Sequence, residues 1–363
     1  MKQLDATAIA RSKIAQGNRA RLAQAMRRAQ NGEAITIGFL GGSITEGYFS
    51  TTPDLNYASR VTKWWRNTFP NADVSIVNAG VGGTGSIIGV HRMNDHLLCR
   101  KPDVIVVEFA VNDLGKYAVP SRESYENVVR RCLKSGAAVL MLFTLNKEGK
   151  NVQDEQIEIG RHYDLPMISV KNAIWPPLAN GERKWEDYSG DNVHPNDNGH
   201  AVVAALVTDY LDEVYAALDS LVETEMPLPE PLTSTDFEHA CMLDHRTLKA
   251  TVLGGFAPHE RGFEHFHYAW AAENGGDAMV FTVEDCKVLH LLLKKDVADT
   301  AGTMHITVTA NGEQSTFDFD AAFPGGWGGY AYPLLVHRSQ APQTVQVEIK
   351  PERSVMVMQV FKA

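Results

Sequence analysis

Three residues have the types and setting for nucleophilic chemistry. Ser43 stands in Gly41-Gly42-Ser43-Ile44-Thr45-Glu46-Gly47, directly after an apolar run that ends near Leu40. Two glycines let the backbone turn sharply and leave the hydroxyl exposed. A neutral serine is a weak nucleophile and needs a base within about 3 Å. The segment Asp191-Asn192-Val193-His194-Pro195 offers one, with a carboxylate and an imidazole on one loop, so that Asp191 can orient His194. Pro195 stiffens that turn and is expected at the start of the helix that follows. Each motif also has an ordinary reading: a turn after a strand for Gly-Gly-Ser, a surface cap or turn for Asp-x-x-His. Their weight comes from the expectation that both lie on the same edge of one sheet.

Acyl transfer by a serine also needs donors aimed at the developing oxyanion. Residues 78–83 (Asn-Ala-Gly-Val-Gly-Gly) and Val111-Asn112-Asp113 follow two further apolar runs. The backbone N–H groups of Ser43 and Gly83 and the side-chain amide of Asn112 can supply three such donors. Tight turns and a helix cap are the plain alternatives. Residues 80–85 also satisfy G-x-G-x-x-G, and Glu108 ends the next strand, where a ribose-binding acid is expected. That is a competing fingerprint for a dinucleotide-binding oxidoreductase. It follows the second strand rather than the first, and it leaves Ser43, Asn112, Asp191 and His194 without work. The G-x-S-x-G elbow is not matched, because Thr45 takes the place of its second glycine.

The elements that must position these groups follow from the apolar pattern. Short apolar runs at 35–40, 74–78, 104–109, 137–143 and 167–170 read as buried strands. Helical stretches are expected over residues 5–30, 57–68, 86–98, 122–133, 154–162 and from 197 to about 221. Strands alternating with helices predict a parallel sheet covered on both faces, with the chemistry beyond the carboxyl ends of its strands. The alternation stops at Met226-Pro227-Leu228-Pro229-Glu230-Pro231, where alternate prolines forbid a helix and favour a stiff extended linker. Beyond it come β-rich runs at 278–283, 289–293, 304–309 (before Asn311-Gly312), 344–349 and 355–361, the pattern of an antiparallel sandwich. The expected organisation is an α/β domain over 1–222, a Pro-rich linker over 223–234 and an all-β domain over 235–363.

The four blocks around Ser43, Gly83, Asn112 and Asp191–His194 resemble those of the SGNH (GDSL-like) hydrolases, in the right order and spacing over residues 34–215. The resemblance implies a flavodoxin-like three-layer α/β/α domain with a parallel sheet. It implies Ser43 as nucleophile, His194 as general base oriented by Asp191, and Gly83 and Asn112 as oxyanion-hole residues. Two positions depart from the family pattern. Residue 42 is Gly where the family name implies Asp, and Ala110-Val111 stands where glycines commonly precede the Asn. SGNH domains joined to a jelly-roll-like β-sandwich are similar to carbohydrate acetylesterases whose second domain resembles a carbohydrate-binding module. The implied activity is removal of O-acetyl groups from mannan- or xylan-type oligosaccharides. A lipase-like acylhydrolase acting on other small esters is the alternative, and a non-catalytic binding module finds no support in the residues present.

Composition narrows the partners. The chain has 363 residues, 44% hydrophobic and 21% charged, with a net charge of −10. Such a balance argues against a clamp for nucleic-acid phosphates. No apolar run reaches the ~18 residues of a membrane span, and the charged amino terminus does not read as a signal peptide. The four cysteines form no CxxC pair and fit thiols in a reducing cytoplasm, so a cytoplasmic location is expected. The expected partner is an acetylated oligosaccharide, with no nucleic acid and no membrane, and a homo-oligomer is compatible with these features. No metal or organic cofactor is called for. His259, His265 and His267 suggest a metal site only weakly, and hydrogen-bonded histidines are the better reading. Trp327, on the glycine-rich stretch 323–330 (Phe-Pro-Gly-Gly-Trp-Gly-Gly-Tyr), is expected to hold substrate by stacking on a sugar and folding over the Ser43 cleft. A tryptophan packed in the sandwich core is the alternative. Glu108 and Asp113 read as carboxylates that brace the Asn112 turn, and Trp64-Trp65 as core packing.

Overall fold

In the computed structural model, which describes residues 4–115, 121–222 and 224–363, the chain divides into two units. The first runs to Thr235, and the second is Asp236–Ala363 together with Val90–Arg92.

The first unit is built on a six-stranded sheet: β1 (Lys13–Ala15), β2 (Ile35–Gly41), β3 (Val74–Gly80), β4 (Val104–Glu108), β5 (Ala138–Phe143) and β6 (Met167–Ser169), in the order β1-β6-β5-β4-β2-β3. All pairings are parallel except β1 with β6. Leaving out β1, the order is 2-1-3-4-5, the flavodoxin-like arrangement, whose switch point lies between the first and third strands. Here those are β2 and β4, the strands that Ser43 and Asn112 follow. β2, β4, β5 and β6 are buried almost throughout because both faces are covered, whereas β3, at the sheet edge, is exposed or half-buried from Ser75 to Asn78. Val104, Val106, Leu140 and Leu142 join one core with Leu22 and Met26 of α2 (Ala20–Gln30), Trp65 of α4 (Tyr57–Thr68) and Val203, Leu206 and Tyr210 of α9 (Asp197–Ala216). Ile105, Val107 and Met141, which alternate with them, are fully buried on the opposite face. The remaining helices are α1 (Ala6–Ser12), α3 (Ser43–Glu46), α5 (Ser86–His96), α6 (Ser121–Lys134), α7 (Gln153–His162) and α8 (Val170–Ala179).

Two expectations are corrected here. Residues 5–30 are not one helix. The Asp5 side chain caps α1, which ends at Ser12, and Gly17 turns the chain at φ +58° before α2. A Cβ at Gly17 would stand 2.2 Å from backbone atoms of Leu165 and Pro166, so the turn presses close against the start of β6, beside which β1 lies. The other is α8, which has no counterpart among the expected helices and contains Pro176 and Pro177. A helical proline leaves the carbonyl four residues earlier without its donor. The carbonyls concerned, Asn172 and Ala173, accept instead from the Arg11 guanidinium at 3.1 and 3.3 Å.

The proline-rich segment forms no helix or strand and lies on the first unit. The Arg130 guanidinium donates to Pro229 O (2.8 Å), and Glu126 accepts from the N–H groups of Leu232 and Thr233 (2.6 and 2.7 Å).

The second unit is an antiparallel β-sandwich. Its strands are β7 (Cys241–Leu243), β8 (Ala257–His259), β9 (Ala269–Ala272), β10 (Met279–Lys295), β11 (Thr303–Ala310), β12 (Glu313–Asp320), β13 (Tyr330–Pro351) and β14 (Val355–Lys362). Their ladder runs β12-β11-β13-β10-β14-β9-β8, with β7 beside β14. The expected strands 278–283 and 289–293 are one strand, β10, carried through irregularities near Cys286 where Asp285 takes φ +51°. Residues 344–349 are likewise the end of the longer β13. Asn311 and Gly312, at φ +48° and +79°, join β11 to β12 in the hairpin their types favour. Trp270, Phe281, Leu291, Ile306, Val347 and Val357 form part of one core. Among the described residues, no helix is long and apolar enough to cross a membrane.

Candidate active site

Ser43 is the first residue of α3, a single helical turn that starts as soon as β2 ends. The turn is tight because its glycines are pressed from both sides. A Cβ at Gly41 would lie 2.1 Å from Thr45 Oγ1, and one at Gly42 would lie 2.2 Å from Asn112 Oδ1. The departure at residue 42 thus has a steric reason: the Asn112 amide occupies the space an Asp side chain would need. The turn is held from outside by Asn78, whose amide donates to Thr45 O (2.8 Å), and by Tyr57, whose hydroxyl pairs with Thr45 Oγ1 (2.8 Å).

The structure brings Ser43, His194 and Asp191 into one relay. Ser43 Oγ lies 2.8 Å from His194 Nε2, and His194 Nδ1 lies 2.7 Å from Asp191 Oδ2. Asp191 Oδ1 accepts from the backbone N–H groups of Val193 and His194, both at 2.7 Å. Partial burial pushes the Asp191 carboxyl up, but the His194 backbone and ring and the Val193 N–H outweigh it and hold the group below its ordinary range. An ionised carboxylate only accepts, so Nδ1 carries the imidazole proton and Nε2 turns its lone pair to Ser43. The loop is fastened by Ser189, whose hydroxyl donates to His194 O (2.6 Å), and by Trp185, whose Nε1–H donates to Asp191 O (2.5 Å). Pro195 stands just before α9 rather than inside its first turn, because Asn196 is the cap and accepts from the N–H groups of Asn198 and Gly199.

Gly83, at φ +68°, and Asn112 flank the serine. A Cβ on the adjacent Gly82 would lie 3.9 Å from Ser43 Cβ, which brings that loop beside the serine, and Asn112 is buried against Gly42. Asp113 ties the two loops together: it accepts from Ser86 N–H at the start of α5 (2.7 Å) and from the Gln156 amide (3.2 Å). Burial pushes its carboxyl up to about 7 against those hydrogen bonds. Glu108 is also fully buried and pushed up to about 7 by desolvation, against hydrogen bonds from Thr144 and the Ala110 backbone. The glycine fingerprint at 80–85 packs closely on the Ser43 turn. The N–H of Ser86 is taken by Asp113, and a Cβ at Gly80 would fall 2.1 Å from Glu46 N.

Residues 39–202 match the GDSL-like lipase/acylhydrolase family. Over 98% of this chain, and at 32% identity, the fold matches a crystal structure of a two-domain esterase active on acetylated mannans, co-crystallised with mannopentaose (TM-score 0.89, 97% of that chain). This chain belongs to the GDSL-like lipase/acylhydrolase family. A second structure of a two-domain esterase active on acetylated mannans matches at TM-score 0.88 and 32% identity, over 98% of each chain. No curated protein matches. For a member of the GDSL-like family, the geometry can do acyl transfer: a hydroxyl with a base at hydrogen-bond distance and the expected donor loops beside it.

Trp327 belongs to the second unit. It is 72% exposed, so it is not the core tryptophan of the alternative reading, and its ring packs edge-on against Phe323 and Tyr330 at 4.9 and 5.7 Å. His259 accepts from the Gly262 N–H, and His267 pairs with the Arg261 carbonyl. Trp65 is core, as expected, whereas the neighbouring Trp64 is only partly buried and donates to Asp212. The sequence reading missed Tyr48 and Phe49, whose rings lie 4.5 and 6.4 Å from the His194 ring. Their signal was an aromatic pair immediately after Gly47.

Proposed function

We propose that this chain is a serine esterase that removes O-acetyl groups from mannan-type oligosaccharides. The observation that carries this reading is the likeness, over both units, to an esterase active on acetylated mannans. In the proposed reaction His194 takes the Ser43 proton as Ser43 attacks the ester carbonyl. The oxyanion is held by the N–H groups of Ser43 and Gly83 and by the Asn112 amide. His194 then gives its proton to the leaving sugar hydroxyl, and water repeats the sequence on the acetyl-serine. Asp191 holds the ring in the tautomer each step needs. None of these steps calls for a cofactor.

Residues 1–222 carry this chemistry in our reading, and 235–363 form a carbohydrate-binding-module-like domain joined through 223–234. The exposed Trp327, with Phe323 and Tyr330 beside it, supports a sugar-stacking role there. A cytoplasmic site of action belongs to the same reading and is supported by four free cysteines, of which Cys132 and Cys286 are buried.

The test is incubation with acetylated manno-, xylo- and chito-oligosaccharides, followed by mass spectrometry for stepwise loss of acetyl groups. Release from the manno-oligosaccharides, abolished in Ser43→Ala, is the expected result. Hydrolysis of small acetate esters without release from any glycan would replace this reading with a general acylhydrolase.

A further inference from the structure

The loop between α3 and α4 carries two large aromatic side chains in an unusual state. Tyr48 is 55% and Phe49 44% exposed, yet neither is loose. Gly47 and Tyr48 both donate backbone N–H groups to Ser43 O (3.0 Å each), and His200 Nε2 meets Tyr48 O at 3.2 Å. Two residues beyond Phe49, the N–H and hydroxyl of Thr51 donate to Asp197 (2.8 and 2.7 Å). Between these anchors Phe49 takes φ +68°, a backbone conformation that bulky side chains avoid. Strain of this kind persists where the surroundings impose it, and it clusters at functional sites.

The rings are also seated. The Phe49 ring is within 12° of parallel to His194, and the Tyr48 ring is tilted against the same imidazole. Gly190 gives Phe49 its seat, since a Cβ there would lie 2.1 Å from the Phe49 ring. Neither residue has a part in proton transfer or in holding an oxyanion.

Their side of the site says what they meet. In the proposed reaction the oxyanion donors come from Ser43 and the Gly83 and Asn112 loops, which fixes where the carbonyl oxygen sits. His194 delivers its proton to the departing alcohol, so groups on the flank of His194 meet the alcohol half of the ester.

We propose that Tyr48 and Phe49 form the platform on which the pyranose ring of the leaving alcohol stacks, so that they select the sugar and not the acyl group. The proposal rests on the esterase reading above. A pyranose presents an apolar C–H face of about the right size for one or two aromatic rings, and a preordered pair binds it without first paying to order two side chains.

The experiment compares kcat/KM on an acetylated manno-oligosaccharide, propyl acetate and propyl butyrate in the full-length protein. Phe49→Gly removes the ring while keeping a residue at ease with positive φ, and Phe49→Trp keeps an aromatic face. For Phe49→Gly the oligosaccharide-to-propyl-acetate ratio is expected to fall roughly five- to tenfold, the size of one aromatic contact. Phe49→Trp is expected to retain most of the ratio, and the acetate-to-butyrate preference to move by less than about twofold. An unchanged ratio, equal losses on both acetates or a shift in acyl preference would overturn the platform while leaving the esterase reading intact. A wild-type protein inactive on every acetylated glycan would sink both.

Discussion

At the scale of single residues, Gly42 and Asn112 give the sharpest test of the oxyanion hole. Asn112→Ala is expected to lower kcat on acetyl esters by about 10²–10³, the usual cost of one such donor. A loss under about threefold would remove Asn112 from that role. Gly42→Ala deletes no reacting group, yet its Cβ would stand 2.2 Å from Asn112 Oδ1, so kcat is expected to fall while the fold persists by circular dichroism. Equal turnover in Gly42→Ala and wild type would show that the amide's position is not critical. The types and spacing of Ser43, Asp191 and His194 were legible because chemistry restricts which residues can do this work. The packing of Asn112 on Gly42 was not, since two residues seventy positions apart meet only when β2 and β4 pair.

At the scale of elements, Asp113 and Glu108 make the core below the site sensitive to pH. Both carboxyls are raised to about 7, chiefly by burial, so the fold favours their protonated forms. Such a contribution is complete below the unfolded carboxyl range and is lost as pH rises through about 7. The melting temperature is therefore expected to fall between roughly pH 5 and pH 8, and Asp113→Asn should flatten that slope. Gln156 can serve the variant by turning over, because its Oε1 is buried without a hydrogen-bond partner. A slope identical in Asp113→Asn would place the titration elsewhere. The same scale shows what a sequence hides. Apolar runs marked the five parallel strands, and burial on both faces forces them in all but β3, which lies at the sheet edge. Strand β1 was hidden because three residues edging a sheet carry no periodicity, and α8 because the donor that makes its prolines tolerable, Arg11, is 161 residues away. In the sandwich, β10 reads as two strands because Glu284 and Asp285 at its irregularity have the composition of a turn.

At the scale of the whole molecule, each unit presents an exposed aromatic cluster, around Phe49 in one and Trp327 in the other. Trp327→Ala is expected to weaken retention on mannan in affinity electrophoresis and to lower turnover of polymer relative to propyl acetate. Unchanged retention would leave the sandwich without a sugar-binding role through that residue. The early segment from α1 to β1 has a different consequence, one for biosynthesis. Its partners are the α8 carbonyls and β6, so it emerges from the ribosome long before anything it can dock on exists. A chain released short of β6 would leave Arg11 without the α8 carbonyls and β1 without its partner strand, and truncated products are expected to be recognised and degraded for that reason.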